Sequence, residues 1–210
     1  MKLTTMTQVT VDGVMQGNGG ATDEDRRNGF ELGGWALGKG DSETMALIND
    51  TYQRADAFLF GRRTYELFAG YWGAEQRARA AAEDPDNNPI TASLNTKPKY
   101  VASTTLTEGR WPETTVLSGD LAAAIGELKA KPGGELQVHG SGALIRWLLE
   151  HDLVDELNLL VIPVVVGAGT RLFPANGPDL ALELMESSVF SKGITLQVYR
   201  TAGRPQYATD

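Results

Sequence analysis

Two stretches of this 210-residue chain put residue types where an anion can be held. The first is Val138-His139-Gly140-Ser141-Gly142-Ala143, inside the segment Glu135–His151. Glu135–His139 is a short run with β-branched content that suits a buried strand; Leu144, Ile145, Leu148 and Leu149 then recur at helical spacing. A strand that passes through a glycine-rich turn into a helix aims several backbone N–H groups, and the positive end of the helix dipole, at one point. The usual occupant of such a point is a nucleotide phosphate. The turn has neither the third glycine of the dinucleotide fingerprint nor the Gly-Lys-Ser/Thr ending of a P-loop, and an ordinary tight strand–helix turn has the same pattern. The second stretch is Gly61-Arg62-Arg63-Thr64-Tyr65-Glu66, which follows the apolar run Ala57–Phe60; Tyr65, Phe68 and Trp72 share a helical face beyond it. Two cations that open a helix oppose its dipole unless an anion offsets them. A solvated arginine pair is the alternative.

Other chemistries are excluded or weak. With no cysteine, there is no disulfide, thiolate metal site or cysteine nucleophile. The two histidines, His139 and His151, have no paired acids nearby and make no metal site. His139, one residue before the glycine turn, can meet a phosphate or a ring amide, or serve as a satisfied structural histidine. Lys and Arg total 19 against 27 Asp and Glu, a formal charge of −8, which argues against nucleic acid and anionic membrane as partners. The four tryptophans read as packing residues. The N-terminus MKLTTMTQVTVDG has no continuous apolar region, and no later run approaches the ~18 residues of a membrane span. The expectation is one soluble cytoplasmic domain over residues 1–210.

These stretches need elements to position them. Lys2–Val11 reads as a strand closed by Asp12-Gly13, and Gly17–Gly40 as a long loop carrying Phe30 and Trp35. Asp41 or Ser42 caps a helix with Met45, Ile48 and Tyr52 on one face. Ala74–Pro89 reads as a helical fragment followed by a turn, and Tyr100–Ser103 and Thr115–Leu117 as strands. Asp120 caps a helix with Leu121, Ile125 and Leu128 inward. Leu157–Val166 is nearly continuous aliphatic, which suits a strand buried on both faces, with Pro163 implying a bulge or a missing ladder bond. Loops follow at Gly167–Gly169 and Pro174–Pro178. Leu180, Leu182 and Leu184 alternate, as do Ile194, Leu196 and Val198, giving a closing antiparallel hairpin. Strands interleaved with helices predict an α/β fold with a mostly parallel sheet.

The ordered motifs Val11-Asp12-Gly13, Gly29-Phe30-Glu31 through Gly33-Gly34-Trp35, Gly61–Glu66, Val138–Gly142 and Leu153-Val154-Asp155-Glu156-Leu157 carry a resemblance to a known family. The chain resembles the dihydrofolate-reductase-like proteins, and best the branch related to the C-terminal reductase domain of the bifunctional riboflavin biosynthesis protein. That resemblance runs from near residue 2 to near residue 200. It implies a three-layer α-β-α fold, NADPH across the C-terminal ends of the strands, and a homodimer. It also implies hydride transfer to a small heterocycle, either a pyrimidine such as 5-amino-6-ribosylaminouracil phosphate or a pterin. A non-catalytic nucleotide-binding module, acting as sensor or assembly partner, is the alternative.

By the same resemblance, Gly61, Arg62, Arg63 and Thr64 hold cofactor phosphates. Ser103 and Thr104 reach the adenosine side and its 2′-phosphate, and Gly140, Ser141, Gly142 and Ala143 form the pyrophosphate turn. Val9 lines the nicotinamide, while Gln16 and Gly17 begin the loop that covers it. Hydride transfer needs the nicotinamide against an electrophilic carbon, water excluded, and one acid to protonate a nitrogen or oxygen. Asp12 is the carboxyl the family fold places best for that, although an Asp-Gly turn residue accepting backbone N–H bonds looks the same. Two departures leave the substrate open. Met45 stands where dihydrofolate reductase keeps an acid, and Val14-Met15-Gln16 follow the Asp-Gly turn where the riboflavin-type reductases have a basic residue.

Overall fold

A computed structural model describes residues 1–177 and 179–208. Its strands are β1 (Lys2–Thr10), β2 (Ala55–Gly61), β3 (Lys99–Ala102), β4 (Thr114–Leu117), β5 (Glu135–His139), β6 (Glu156–Ile162), β7 (Leu182–Val189) and β8 (Thr195–Thr201). They form one sheet in the order β4-β3-β2-β5-β1-β6-β8-β7. The pairs β2·β3, β3·β4 and β2·β5 are parallel; β6·β8 and β7·β8 are antiparallel. This is the dihydrofolate-reductase-like α/β fold, with the closing antiparallel pair expected from the alternating leucines. The helices are α1 (Asp23–Arg27), α2 (Ser42–Arg54), α3 (Arg62–Trp72), α4 (Glu75–Glu83), α5 (Pro89–Thr96), α6 (Leu121–Ala130) and α7 (Gly142–Glu150). None of the described helices is long and apolar enough to cross a membrane.

The chain divides into two compact units. One comprises residues 1–4 and 45–144, the other residues 5–44 and 145–210. In the first, parallel pairing brings the C-terminal ends of β2, β3 and β5 to one edge. Its core is aromatic: Tyr52, Phe58, Phe60, Tyr65 and Trp111 pack with Leu94 and Val101. Two lysines close helices there. Lys97 Nζ donates to the Tyr52 and Gln53 carbonyls at the end of α2 (3.1 and 2.6 Å), and Lys99 Nζ to the Leu94 and Lys97 carbonyls at the end of α5 (2.7 Å each). Lys99 is fully buried, over the Trp111 ring, and burial pulls its pKa down to about 8.

Two caps fall where the sequence puts them. Asp41 Oδ1 accepts from Thr44 N at 2.8 Å, and Asp120 Oδ1 from Ala123 N at 3.0 Å. Other readings need correction. The aliphatic run Leu157–Val166 is a strand only to Ile162, because Pro163 has no N–H for the ladder; Val165 beyond it is 68% exposed. Helix α5 follows the expected turn unannounced: its Thr, Ser and Asn content is poor helix former, and buried Leu94 with the Lys99 clamp compensates. The long loop contains α1, whose Thr22/Asp25 capping box was legible as a Thr-x-x-Asp signature. Of the loop expected over Pro174–Pro178, Pro178 lies outside the described residues.

In the second unit, β1 carries buried Thr5 and Thr7, whose hydroxyls have no hydrogen-bond partner among the described residues. A buried hydroxyl without a partner costs desolvation that a methyl does not. Thr7→Val is therefore expected to stabilise the protein by about 1 kcal/mol and raise the melting midpoint by about 2–4 °C. A lowered midpoint in differential scanning calorimetry would contradict this.

Candidate functional site

The phosphate-type junctions belong to the first unit. β2 ends at Gly61 and α3 starts at Arg62; β5 ends at His139, and α7 starts at Gly142 after the Gly140-Ser141 turn. Because β2 and β5 are parallel neighbours, both junctions leave the sheet at the same edge. They are stitched together. Gly61 N donates to Ser141 Oγ at 3.0 Å, and Ser141 N donates to Thr64 Oγ1 at 3.0 Å. Ser141 takes a left-handed φ of 53° to do so, a strained geometry for a residue with a Cβ. Two N–H groups of the expected phosphate cradle are thus spent on holding the cradle together. The remaining first-turn N–H groups of α3 and α7 have no partner within their own helices, as at any helix start. Neither first turn holds an acidic residue.

β3 lies on the other side of β2, with Gly61 opposite Ala102, so Ser103, Thr104 and Thr105 leave the sheet beside Arg62. Ser103 Oγ accepts from the N–H groups of Thr105 (3.2 Å) and Leu106 (3.0 Å), which fixes this turn. Arg62 bridges the two elements: Nη1 donates to Thr105 Oγ1 at 2.5 Å and Nε to Glu66 Oε1 at 2.8 Å. The structure therefore gathers Gly61, Arg62, Arg63, Thr64, Ser103, Thr104, Gly140, Ser141, Gly142 and Ala143 at one edge of the unit. Sequence reasoning overlooked Thr105, and it assigned no role to Glu66. The four-residue Arg62–Glu66 spacing was the available signal for the second.

His139, beside this turn, has its ring nitrogen committed. Gln137 Nε2 donates to Thr51 O (2.7 Å) and Glu135 Oε2 (2.5 Å), so its Oε1 accepts from His139 Nε2–H at 2.9 Å. The imidazole stacks on Tyr52 with centroids 4.1 Å apart, and burial lowers its pKa to about 3. Of the two readings open for His139, the structure selects the satisfied structural histidine. The Tyr52 phenol is pushed up by the same burial.

The second unit holds the remaining expected residues. Asp12 accepts from Thr10 Oγ1 (2.6 Å), Val166 N (3.1 Å) and Gly167 N (2.9 Å), with Arg171 Nη2 at 3.4 Å. The Thr10 hydroxyl, helped by the Gly167 and Val166 amides, lowers its pKa to about 2. Both ends of the Gln16 amide are engaged: Nε2 donates to Asp25 Oδ1 (2.7 Å), and Oε1 accepts from Thr170 N (2.8 Å) and Thr170 Oγ1 (3.1 Å). Its carbonyl accepts from Trp35 Nε1 at 2.8 Å. Gly17 and Gly169 flank the buried Phe30 ring, and a Cβ at either would sit 2.7 or 2.5 Å from ring carbons. Val9 is buried on β1. The glycine-rich loop is thus a latched structure centred on Gln16, Phe30 and Trp35. Among the described residues no cluster of His, Asp or Glu suits a metal ion.

Comparison with known proteins agrees with this architecture. The chain matches the family described as the RibD C-terminal domain over residues 1–196. It is 27% identical over 196 residues to the uncharacterized protein YyaP of Bacillus subtilis (strain 168), spanning 93% of this chain and 92% of that protein. It is 24% identical over 163 residues to the uncharacterized protein YwjB of the same organism, spanning 78% of this chain and 82% of that one. Two crystal structures share the fold. A riboflavin-biosynthesis-like protein from Shewanella sp. PV-4 has a TM-score of 0.64 at 23% identity, over 96% of this chain and 99% of that one. A pyrimidine reductase-like protein from Corynebacterium diphtheriae has a TM-score of 0.59 at 14% identity, over 95% and 91%. With its match spanning nearly the whole sequence, the chain belongs to the family of the RibD C-terminal domain.

Proposed function

We propose that this protein is an NADPH-dependent reductase that acts on a small heterocycle, a pyrimidine or a pterin, by hydride transfer. Family membership supports reductase-type chemistry, and one observation carries the cofactor: two acid-free helix starts stitched side by side, with Arg62 and three hydroxyl residues along the same edge. That donor set suits a dinucleotide's phosphates. Gly140–Ala143 and Gly61–Thr64 would hold the pyrophosphate, and Arg62, Arg63, Ser103 and Thr104 the 2′-phosphate; for Val9, Gln16 and Gly17, in the second unit, the family resemblance alone implies a nicotinamide role. NADPH, when bound, would supply a hydride to the electrophilic carbon of the heterocycle, and the adjacent nitrogen or oxygen would take its balancing proton from solvent.

The chain's own residues bind, orient and exclude water. Asp12, ionised by its four donors, positions the turn after β1 against Val166 and Gly167 rather than giving up a proton. Gln16 latches the covering loop through its side chain. A cytoplasmic homodimer completes the reading.

The test is titration of intrinsic tryptophan emission with NADPH and with NADH. Arg63→Glu is expected to raise the NADPH dissociation constant by about tenfold or more. An unchanged constant would remove Arg63 from the site. Tight binding without turnover across pterins, pyrimidines and quinones would replace the reductase by a non-catalytic nucleotide-binding module.

A further inference from the structure

We propose that Glu66 is a specificity-determining residue that weakens the preference of this site for a 2′-phosphorylated cofactor. The inference rests on the nicotinamide-nucleotide reading above and goes beyond it. A guanidinium offers two paired edges to an oxyanion, the Nε/Nη2 side and the Nη1/Nη2 end. In Arg62 both edges already have one prong engaged. Glu66 Oε1 holds Nε at 2.8 Å, and Thr105 Oγ1 holds Nη1 at 2.5 Å. A phosphate that seeks a two-pronged contact must displace one of them.

The two occupants are not equivalent. The Thr105 hydroxyl is neutral and can turn to donate to an incoming phosphate oxygen. Glu66 carries a negative charge, repels a phosphate dianion and competes with it for the same nitrogen. Both side chains are about half exposed (47% for Arg62, 50% for Glu66), so the pair opens at little cost, and Glu66 tunes the site rather than blocking it. The β2·β3 register explains why the effect is selective. Gly61 lies opposite Ala102, which sets Arg62 beside Ser103–Thr105 at the adenosine end, while the Gly140 turn lies on the β5 side. NADH, with a 2′-hydroxyl, has no charge at that end to feel Glu66.

Isothermal titration of wild type and Glu66→Gln with NADPH and NADH, and with 2′,5′-ADP and 5′-AMP as probes of the 2′-phosphate alone, tests this. Glu66→Gln is expected to tighten NADPH and 2′,5′-ADP by about fivefold to tenfold, and to leave NADH and 5′-AMP within about twofold. Equal tightening of all four ligands, or no change in the NADPH-to-NADH ratio, would overturn the role of Glu66 while leaving the nucleotide reading intact. Failure of the wild type to bind any of the four would overturn both. A melting midpoint for Glu66→Gln close to wild type is expected, since a half-exposed pair of this spacing contributes little to stability.

Discussion

Gly33→Ala is expected to unlatch the glycine-rich loop and abolish reductase turnover, at a cost of about 2–4 kcal/mol in stability. A Cβ at Gly33 would stand 2.0 Å from Ala21 N, 2.6 Å from Gly20 C and 2.8 Å from Ala21 Cα. All three are main-chain atoms, so no side-chain rotation relieves the overlap. Gly33 does not have a positive φ, and alanine is otherwise compatible with its backbone; the close crossing alone forbids it. The crossing is held on both sides, by Gly34 N to Gly17 O (2.7 Å), Ala36 N to Asn18 O (3.1 Å) and the Trp35 indole to Gln16 O. Separating the two strands of this loop would release those bonds together. The unfolding midpoint in urea, limited proteolysis between residues 17 and 40, and Trp35 emission check this. A variant with wild-type stability, protease resistance and turnover would refute it.

The second large effect is acid sensitivity centred on His139. Its folded pKa, lowered to about 3 by burial, lies below the ordinary value of 6.5. Between those values the unfolded chain holds a proton that the folded one does not, so stability rises with pH and is lost as pH falls below 6.5. The loss between pH 7 and pH 5 is expected to be about 2 kcal/mol and to continue towards pH 3. Asp12 and Asp41, both lowered by hydrogen bonds, withdraw their contributions only below the ordinary carboxylate pKa of 3.8. Lys99, lowered to about 8, acts in the alkaline range: the folded state there holds fewer protons than the unfolded one, and stability falls as pH drops from 10.5 to 8. The window from pH 5 to 6.5 therefore isolates the imidazole from these groups. His139→Asn should flatten the urea-derived stability profile in that window, and an unchanged slope would mean that His139 is not the group responsible.

Much of the architecture was legible in the residues. Periodicity located β2, β5, the cap residues Asp41 and Asp120, and the closing antiparallel pair. Both phosphate-type junctions followed from strand, glycine and helix in succession. What escaped notice depended on tertiary partners. No local signal predicts that Gly61 N would meet Ser141 Oγ, since the two are 80 residues apart. Helix α5 exists because Leu94 is buried and Lys99 clamps its end, and neither fact is visible in PITASLNT. The run LNLLVIPVVV reads as one long strand, and one proline cuts it at Ile162. Asp12 shows the same limit: of its two readings the structure bears out the turn residue that accepts backbone N–H bonds, but the amides it accepts from, Val166 and Gly167, lie about 155 residues away.

The stitch between Gly61, Thr64 and Ser141 has a consequence for how this protein comes into being. Its two bonds join positions 80 and 77 residues apart, so neither exists until β5 has docked beside β2. Closing so long a loop is an entropic expense that local contacts do not offset. The proposed anion site is accordingly expected to be a late product of folding. A nascent chain that has released residues up to 130 already has β2, α3 and β3, yet it presents its arginines on an untethered helix start. If the edge binds nucleotide as proposed, nucleotide would act on the last stage of maturation, by mass action on the completed edge, and would leave the early steps untouched.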